Sequence, residues 1–394
     1  MTAGKVMLLL GTTKGVFLAS SDARRCDWAI RGPLCDGWNI SHVIGDSASG
    51  RLWAGGGGEW FGAGVWLSQD WGETWQKIRL SRGTADEWAA RDANFARLIG
   101  WQEEALPFDN EFSQVWVLGF AHGTLYAGTK PARLLASSDG GLSWRDVPGL
   151  SAHPSKDSWQ PGAAGLVLHT IVSHPETAQK LWVGISAAGV FATEDGGTTW
   201  QRRNRLSQGP SGAPAPQERT APADPTAPAN GEVGPCVHNI RRAAGEVDLL
   251  YQQNHHGVWR SSNGGRSWDD ITLGLPSTFG FPIHVHPRDP MRLWTVPLNG
   301  DSSGRFPLGG AAAVWRSRDG GQSWHALRQG LPQQNCYFTV LRQAMAGDTL
   351  ENSGIYFGTN SGSVFASLDE GDSWVEIARH LPTILSVETL SLPA

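Results

Sequence analysis

Apolar residues in this chain come in short runs that never settle into a helical period. One set reads Gly15-Val-Phe-Leu-Ala-Ser20, Gly64-Val-Trp-Leu-Ser68, Gly189-Val-Phe-Ala-Thr193, Gly257-Val-Trp-Arg-Ser261 and Ser363-Val-Phe-Ala-Ser367. A second set lies ahead of the first: Leu52-Trp-Ala-Gly55, Leu125-Tyr-Ala-Gly128, Leu181-Trp-Val-Gly184 and Ile355-Tyr-Phe-Gly358. Brief runs of β-branched and aromatic residues, punctuated by glycine at regular intervals, predict paired short strands. After each pair comes the same polar turn. Five copies are complete: Ser68/Asp70/Gly72/Thr74/Trp75, Ser137/Asp139/Gly141/Ser143/Trp144, Thr193/Asp195/Gly197/Thr199/Trp200, Ser317/Asp319/Gly321/Ser323/Trp324 and Ser367/Asp369/Gly371/Ser373/Trp374. A sixth carries Asn263 for the acid, and a seventh keeps only Ser20, Asp22 and Trp28. In each, the acid suits the N–H groups of a tight turn, the glycine a left-handed conformation, and the tryptophan an apolar anchor.

This turn resembles the Asp-box, or BNR, repeat of sialidase-like β-propellers, and the resemblance runs along nearly the whole chain. It implies an all-β fold, a seven-bladed β-propeller of four-stranded blades with Asp-box turns, as one domain over residues 1–394. If Val6–Gly11 is the second strand of its blade, the C-terminal run 383–389 is the missing first strand, closing the ring and covering its sheet edges. Other inner strands are expected near 39–44, 112–118, 166–173, 235–241, 281–286 and 336–342. The boxes then mark the outer rim of one face. The opposite face receives four insertions. Residues 81–111 hold a helix-like stretch over 85–99, residues 151–165 carry Trp159, residues 207–234 are rich in Pro and Ala, and residues 299–310 hold Asp301 and Arg305. Function is expected where the repeats differ, on that face.

Composition narrows the partners. A net charge of −5 with no basic run argues against a nucleic-acid surface. The four cysteines show no CxxC spacing, and Cys236 and Cys336 are expected as buried thiols in inner strands. Val6-Met-Leu-Leu-Leu10 is too short for a signal peptide and no stretch is long enough to span a membrane, so a cytoplasmic protein without membrane contact is expected.

The candidate chemistry centres on His169 and His238, which occupy the same register of adjacent inner strands. Neutral imidazoles serve as general bases or as ligands for a divalent metal ion. With Glu59 and Asp301 they form the candidate catalytic set, and with His284 the candidate metal set. Asn254, His255, Arg305, Tyr337, Trp60 and Trp159 are the candidate ligand-binding residues. Hydrogen-bonded channel histidines around ordered water are the plain alternative. The sialidase pattern of arginines with a Tyr nucleophile is not matched. No Arg-Ile-Pro motif lies near the start, and Tyr126, Tyr251 and Tyr356 fall in repeat strands, leaving Tyr337. Stretches such as Leu250-Tyr-Gln-Gln-Asn-His255 and Gly280-Phe-Pro282 resemble bacterial glycosyl-hydrolase-like and photosystem II assembly-factor-like propellers. That resemblance leaves three functions open. One is a hydrolase or lyase for a polar or carbohydrate-like small molecule, with or without metal. The others are a protein-binding scaffold and a carbohydrate-binding propeller.

Overall fold

The computed structural model describes residues 5–207, 227–229 and 231–392. The described chain is mostly β, arranged as five four-stranded antiparallel sheets and one eight-stranded sheet. The eight-stranded sheet consists of two four-strand runs joined where Gly57 pairs with Gln114. The C-terminal strand Ile384–Leu392 pairs antiparallel with Lys5–Thr12, which continues into Gly15–Ser21 and Ala29–Leu34. Chain order along each other sheet runs from an inner strand outward, as in Val167–Ser173, Leu181–Ser186, Gly189–Thr193 and Gln201–Arg202.

The repeated turn lies between the third and fourth strands of its sheet. In the Asp139 copy, Ser137 Oγ–H donates to Asp139 Oδ1 at 2.7 Å, and the same carboxylate oxygen accepts the Ser143 N–H at 2.9 Å. Oδ2 accepts the Ser143 hydroxyl at 2.6 Å, and the Gly141 N–H closes onto Ser137 Oγ at 2.8 Å. Gly141 sits at φ +98°, where a side chain would be strained. The buried Trp144 indole N–H returns to the Gly141 carbonyl at 2.9 Å. A second use of these turns was not evident from sequence. The second-strand tryptophans Trp53, Trp182 and Trp294 donate their indole N–H to box carbonyls of the following strand set, Gly140, Gly264 and Glu370. The boxes therefore latch neighbouring β units together while bracing their own hairpins.

The helix-like stretch is broken in two, Thr84–Arg91 and Ala93–Ile99, because the Asp92 carboxylate caps a second helix by accepting from Asn94 and Phe95 N–H groups. Gly100 ends it in the left-handed region. Most of the Pro/Ala-rich insertion over 207–234 lies outside the described residues. The expected inner strand over 336–342 is not formed; the strand of that unit is Met345–Gly347. The preceding segment leaves the sheet to reach distant strands. Asn239 Nδ2 donates to the Arg342 carbonyl at 2.5 Å, and Gln343 Nε2 donates to the His169 carbonyl. Among the described residues no helix is long and apolar enough to cross a membrane.

Candidate functional site

A shared irregularity of the inner strands positions the site. In Val167–Ser173 the pairing skips His169, and in Val237–Arg242 it skips His238. The equivalent skips fall on Ser41, on Trp116 and on Phe281 with Pro282. A β-bulge leaves its extra residue unpaired and re-aims the side chain. The two histidines are therefore structurally equivalent, and both are buried.

His238 Nδ1 lies 2.6 Å from the Gly280 carbonyl, which assigns the proton to Nδ1 and leaves the Nε2 lone pair facing Cys236 Sγ at 3.7 Å. Its ring packs on Phe281, Phe279 and His255, with centroids 4.8, 5.4 and 5.4 Å away. His169 Nδ1 faces Thr170 Oγ1 at 3.3 Å, and its buried Nε2 has no partner with hydrogen-bond geometry, although the Val237 backbone lies near enough to favour the charged ring slightly. Burial pushes both imidazoles well below the usual histidine range, and the Arg342 guanidinium adds to it. Arg342 lies 4.7 Å over the Phe281 ring and Arg305 lies 5.8 Å from it. Burial lowers Arg342 to about 10 against the pull of Cys236 and Asp301. Asp301 is ion-paired with Arg305, and Tyr337 is exposed with its ring edge-on to Phe306 at 5.1 Å.

The structure thus brings together His169, His238, His255, Asp301 and Arg305, with Tyr337 on the adjoining loop. It leaves others apart. His284 is displaced because it lies three residues past the shared position, which Phe281 fills in its strand. It pairs with Trp294 as Arg241 pairs with Tyr251, three residues past the shared position. Its charged neighbours are Arg241, Glu388 and His286, so the expected His169/His238/His284 metal set is not assembled. The ligand atoms of Cys236, His238 and His255 instead lie within 4.8 Å of one another. Trp159 is no platform: it is buried on Phe191, with its indole N–H on Ser155 Oγ at 2.9 Å. Trp60 packs on Trp88 and Phe95 of the helical insertion, and the Glu59 carbonyl accepts the Thr84 N–H there. Asn254 is fully buried, holding the Gly234 carbonyl and the His256 N–H, so it shapes the hairpin that carries His255.

Sequence reasoning missed a second polar centre. A cavity of about 320 Å³ is lined by His42, Thr170, Asn239, Arg241, Gln343 and Glu388, among others. Glu388 Oε1 lies 3.4 Å from both His42 Nε2 and Arg241 Nη2. Burial raises the Glu388 carboxyl, but Arg241 and His42 together win and hold it below the usual carboxylate range. His42 Nδ1 accepts the Leu118 N–H at 3.1 Å, leaving Nε2–H for Glu388. The available signal was Glu388, the one charged residue in the C-terminal strand. Gln343 and Asn239 lie between this cavity and the histidine cluster.

No protein-family model matches the chain. An oligoxyloglucan-reducing end-specific xyloglucanase of Emericella nidulans is 23% identical over 242 residues, 56% of this chain, and the chain spans only 27% of that relative's length. Among solved structures, the GH74 enzyme of Niastella koreensis aligns over 100% of this chain and 71% of its own, with TM-score 0.52 and 14% identity. YCF48 bound to D1 peptide aligns over 95% and 84%, also with TM-score 0.52 and 14% identity. These likenesses show the fold, that of β-propellers.

Proposed function

We propose that the chain is one closed seven-bladed propeller whose histidine end binds and turns over an anionic, carbohydrate-like small molecule by elimination. The observation that supports this best is the placing of Arg342 and Arg305 over one aromatic ring, Phe281, beside imidazoles kept neutral by burial. A ligand carboxylate would supply the counter-charge that Arg342 lacks among the described residues, since Asp301 is already engaged by Arg305. Neutralising that carboxylate acidifies the adjacent C–H. The His169 imidazole accepts the proton, the C–H electron pair becomes the C=C bond, and the β C–O bond breaks, its electrons leaving with an alkoxide protonated by the Tyr337 hydroxyl or water. Hydrolysis would call for a pair of carboxylates flanking the bond, and among the described residues the cluster holds one. Both imidazoles are closed off in this conformation, so turnover requires the 299–310 loop and the 336–344 segment to part.

The test is calorimetric titration with uronate-containing and neutral oligosaccharides, followed by near-ultraviolet absorbance for the conjugated alkene. Binding confined to the uronates, lost by roughly 10-fold or more in Arg342→Ala, is expected. New reducing ends on neutral glucans without alkene would replace elimination with hydrolysis. The scaffold reading rests on a different surface, the exposed Trp60, Phe61, Trp88, Leu98 and Ile99 around the helical insertion. Peptide binding there without any sugar binding would favour it.

A further inference from the structure

Cys236, His238 and His255 come from one hairpin region, at the entry to Val237–Arg242 and in the turn after Leu250–Asn254. We propose that they bind one divalent ion of the zinc class. The inference goes beyond the elimination proposed above and does not depend on it, because the ion is measured without substrate.

Distance is the first support. A tetrahedral ion with Zn–S near 2.3 Å and Zn–N near 2.0–2.1 Å places sulfur and nitrogen about 3.6 Å apart. Cys236 Sγ and His238 Nε2 are 3.7 Å apart, and the three ligand atoms all lie within 4.8 Å of one another.

The surroundings provide the second support. Metal-binding histidines commonly donate their other ring N–H to a carbonyl, which fixes both tautomer and ring plane. His238 does this to Gly280 at 2.6 Å, and Phe279 and Phe281 wall its ring. The His255 N–H bonds the Cys236 carbonyl at 3.0 Å, so two of the three ligands are tied through their backbones. Asn254 anchors the same turn through the Gly234 carbonyl. The ligand frame is rigid before any ion arrives.

Chemistry then selects the ion. One thiolate with two imidazoles suits zinc and neighbouring late transition metals and excludes magnesium and calcium, which take oxygen ligands. The thiolate charge also offsets the nearby guanidinium of Arg342, for which Cys236 is the largest favourable charge.

The experiment is titration of chelator-treated full-length protein with Zn(II), read by elemental analysis, and with Co(II), read by absorbance. About one equivalent is expected, with thiolate-to-cobalt charge-transfer absorption. Cys236→Ser should abolish that absorption, and Cys236→Ser and His255→Ala should each weaken binding beyond the roughly 10–100-fold that loss of an outer partner costs. His284→Ala should bind as the parent does. His255 lies on a turn and is only half-buried, so its variant keeps the test open if a core substitution misfolds. Failure of the parent protein to take up a stoichiometric ion would overturn the proposal. So would unchanged binding and spectrum in Cys236→Ser. Neither result would touch sugar binding by Arg342, which is scored separately.

Discussion

Replacing Asp139 tests what the repeated turn contributes and how that contribution depends on pH. Three hydrogen bonds converge on its carboxylate, from the Ser137 hydroxyl and from the N–H and hydroxyl of Ser143, at 2.7, 2.9 and 2.6 Å. Asp139→Ala leaves the Ser143 N–H to solvent and frees both hydroxyls. Because the turn is exposed, water recovers part of the loss, and the cost should be roughly 1–3 kcal/mol, toward the lower end. The molecule contains its own control. Asn263 in the sixth copy accepts from Ser261 Oγ and Ser267 N at 2.9 Å each, and donates Nδ2–H to Ser267 Oγ at 2.9 Å. Asp139→Asn should therefore cost less than Asp139→Ala, below about 1 kcal/mol. The Ser143 hydroxyl group lowers the Asp139 carboxyl most, and the pKa falls from 3.8 to about 2. With the native value depressed, the unfolded chain binds the extra proton between those values, so stability falls as pH falls. The contribution is complete above about pH 4 and gone below about pH 2. Urea unfolding at several pH values should show the parent-to-Asn gap constant from pH 7 to 5 and shrinking toward pH 3. A gap that does not change down to pH 3 would refute the assignment of the carboxylate as the turn's charged acceptor.

Two further outcomes follow from the architecture and the buried polar centre. Ending the chain before Ile384 removes the strand paired with Lys5–Thr12 and exposes a row of unpaired backbone groups. Soluble yield and cooperative melting should collapse, and a truncated chain that melts like the parent would show the pairing to be dispensable. Burial first, and then Arg241, lower the His284 imidazole from 6.5 to about 3, so the folded state prefers it neutral. Stability should start to fall as pH drops below 6.5, ahead of the carboxylate limb. His284→Asn should make that early limb shallower in urea titrations without removing it, since the buried His169 and His238 imidazoles share it; a limb of unchanged slope would count against His284.

Local chemistry made most of the architecture legible. Each box combines a turn acceptor, a left-handed glycine and an anchoring tryptophan within one short stretch, so its geometry is encoded where it is read. The C-terminal strand was legible because Val6–Gly11 had no partner ahead of it in the chain, and Ile384–Leu392 does pair there. Non-local competition hid the rest. Cys336-Tyr-Phe-Thr-Val-Leu-Arg342 carries the composition of an inner strand, yet the Arg342 carbonyl is taken by Asn239 and the Gln343 amide by the His169 carbonyl. Those bonds join residues more than a hundred positions apart, and no local pattern announces them. The single helix expected over 85–99 divides for a more readable reason: Asp92 is a better N-cap than helix interior.

The candidate site shows the same division more sharply. His169 and His238 share a written context, Leu-His-Thr-Ile and Val-His-Asn-Ile, and their equivalence survives because each strand bulges at the same place. His284 has a similar context in Pro-Ile-His-Val, but Phe281 holds the shared position in its strand, and an odd offset from that position sends the His284 side chain to the other face. Imidazole count along a sequence therefore says little about imidazole convergence. What converges depends on each residue's place relative to the bulge, and at that place this strand carries Phe281, beneath Arg305 and Arg342. Cys236 is a buried thiol, as expected, but the approach of its sulfur to His255 is not legible, since that residue is reached across a hairpin and not along a spaced motif. The arginines that cross that floor, one from the 299–310 loop and one from the segment that deserts its sheet, are the residues whose removal would most directly separate a ligand site from a well-packed core.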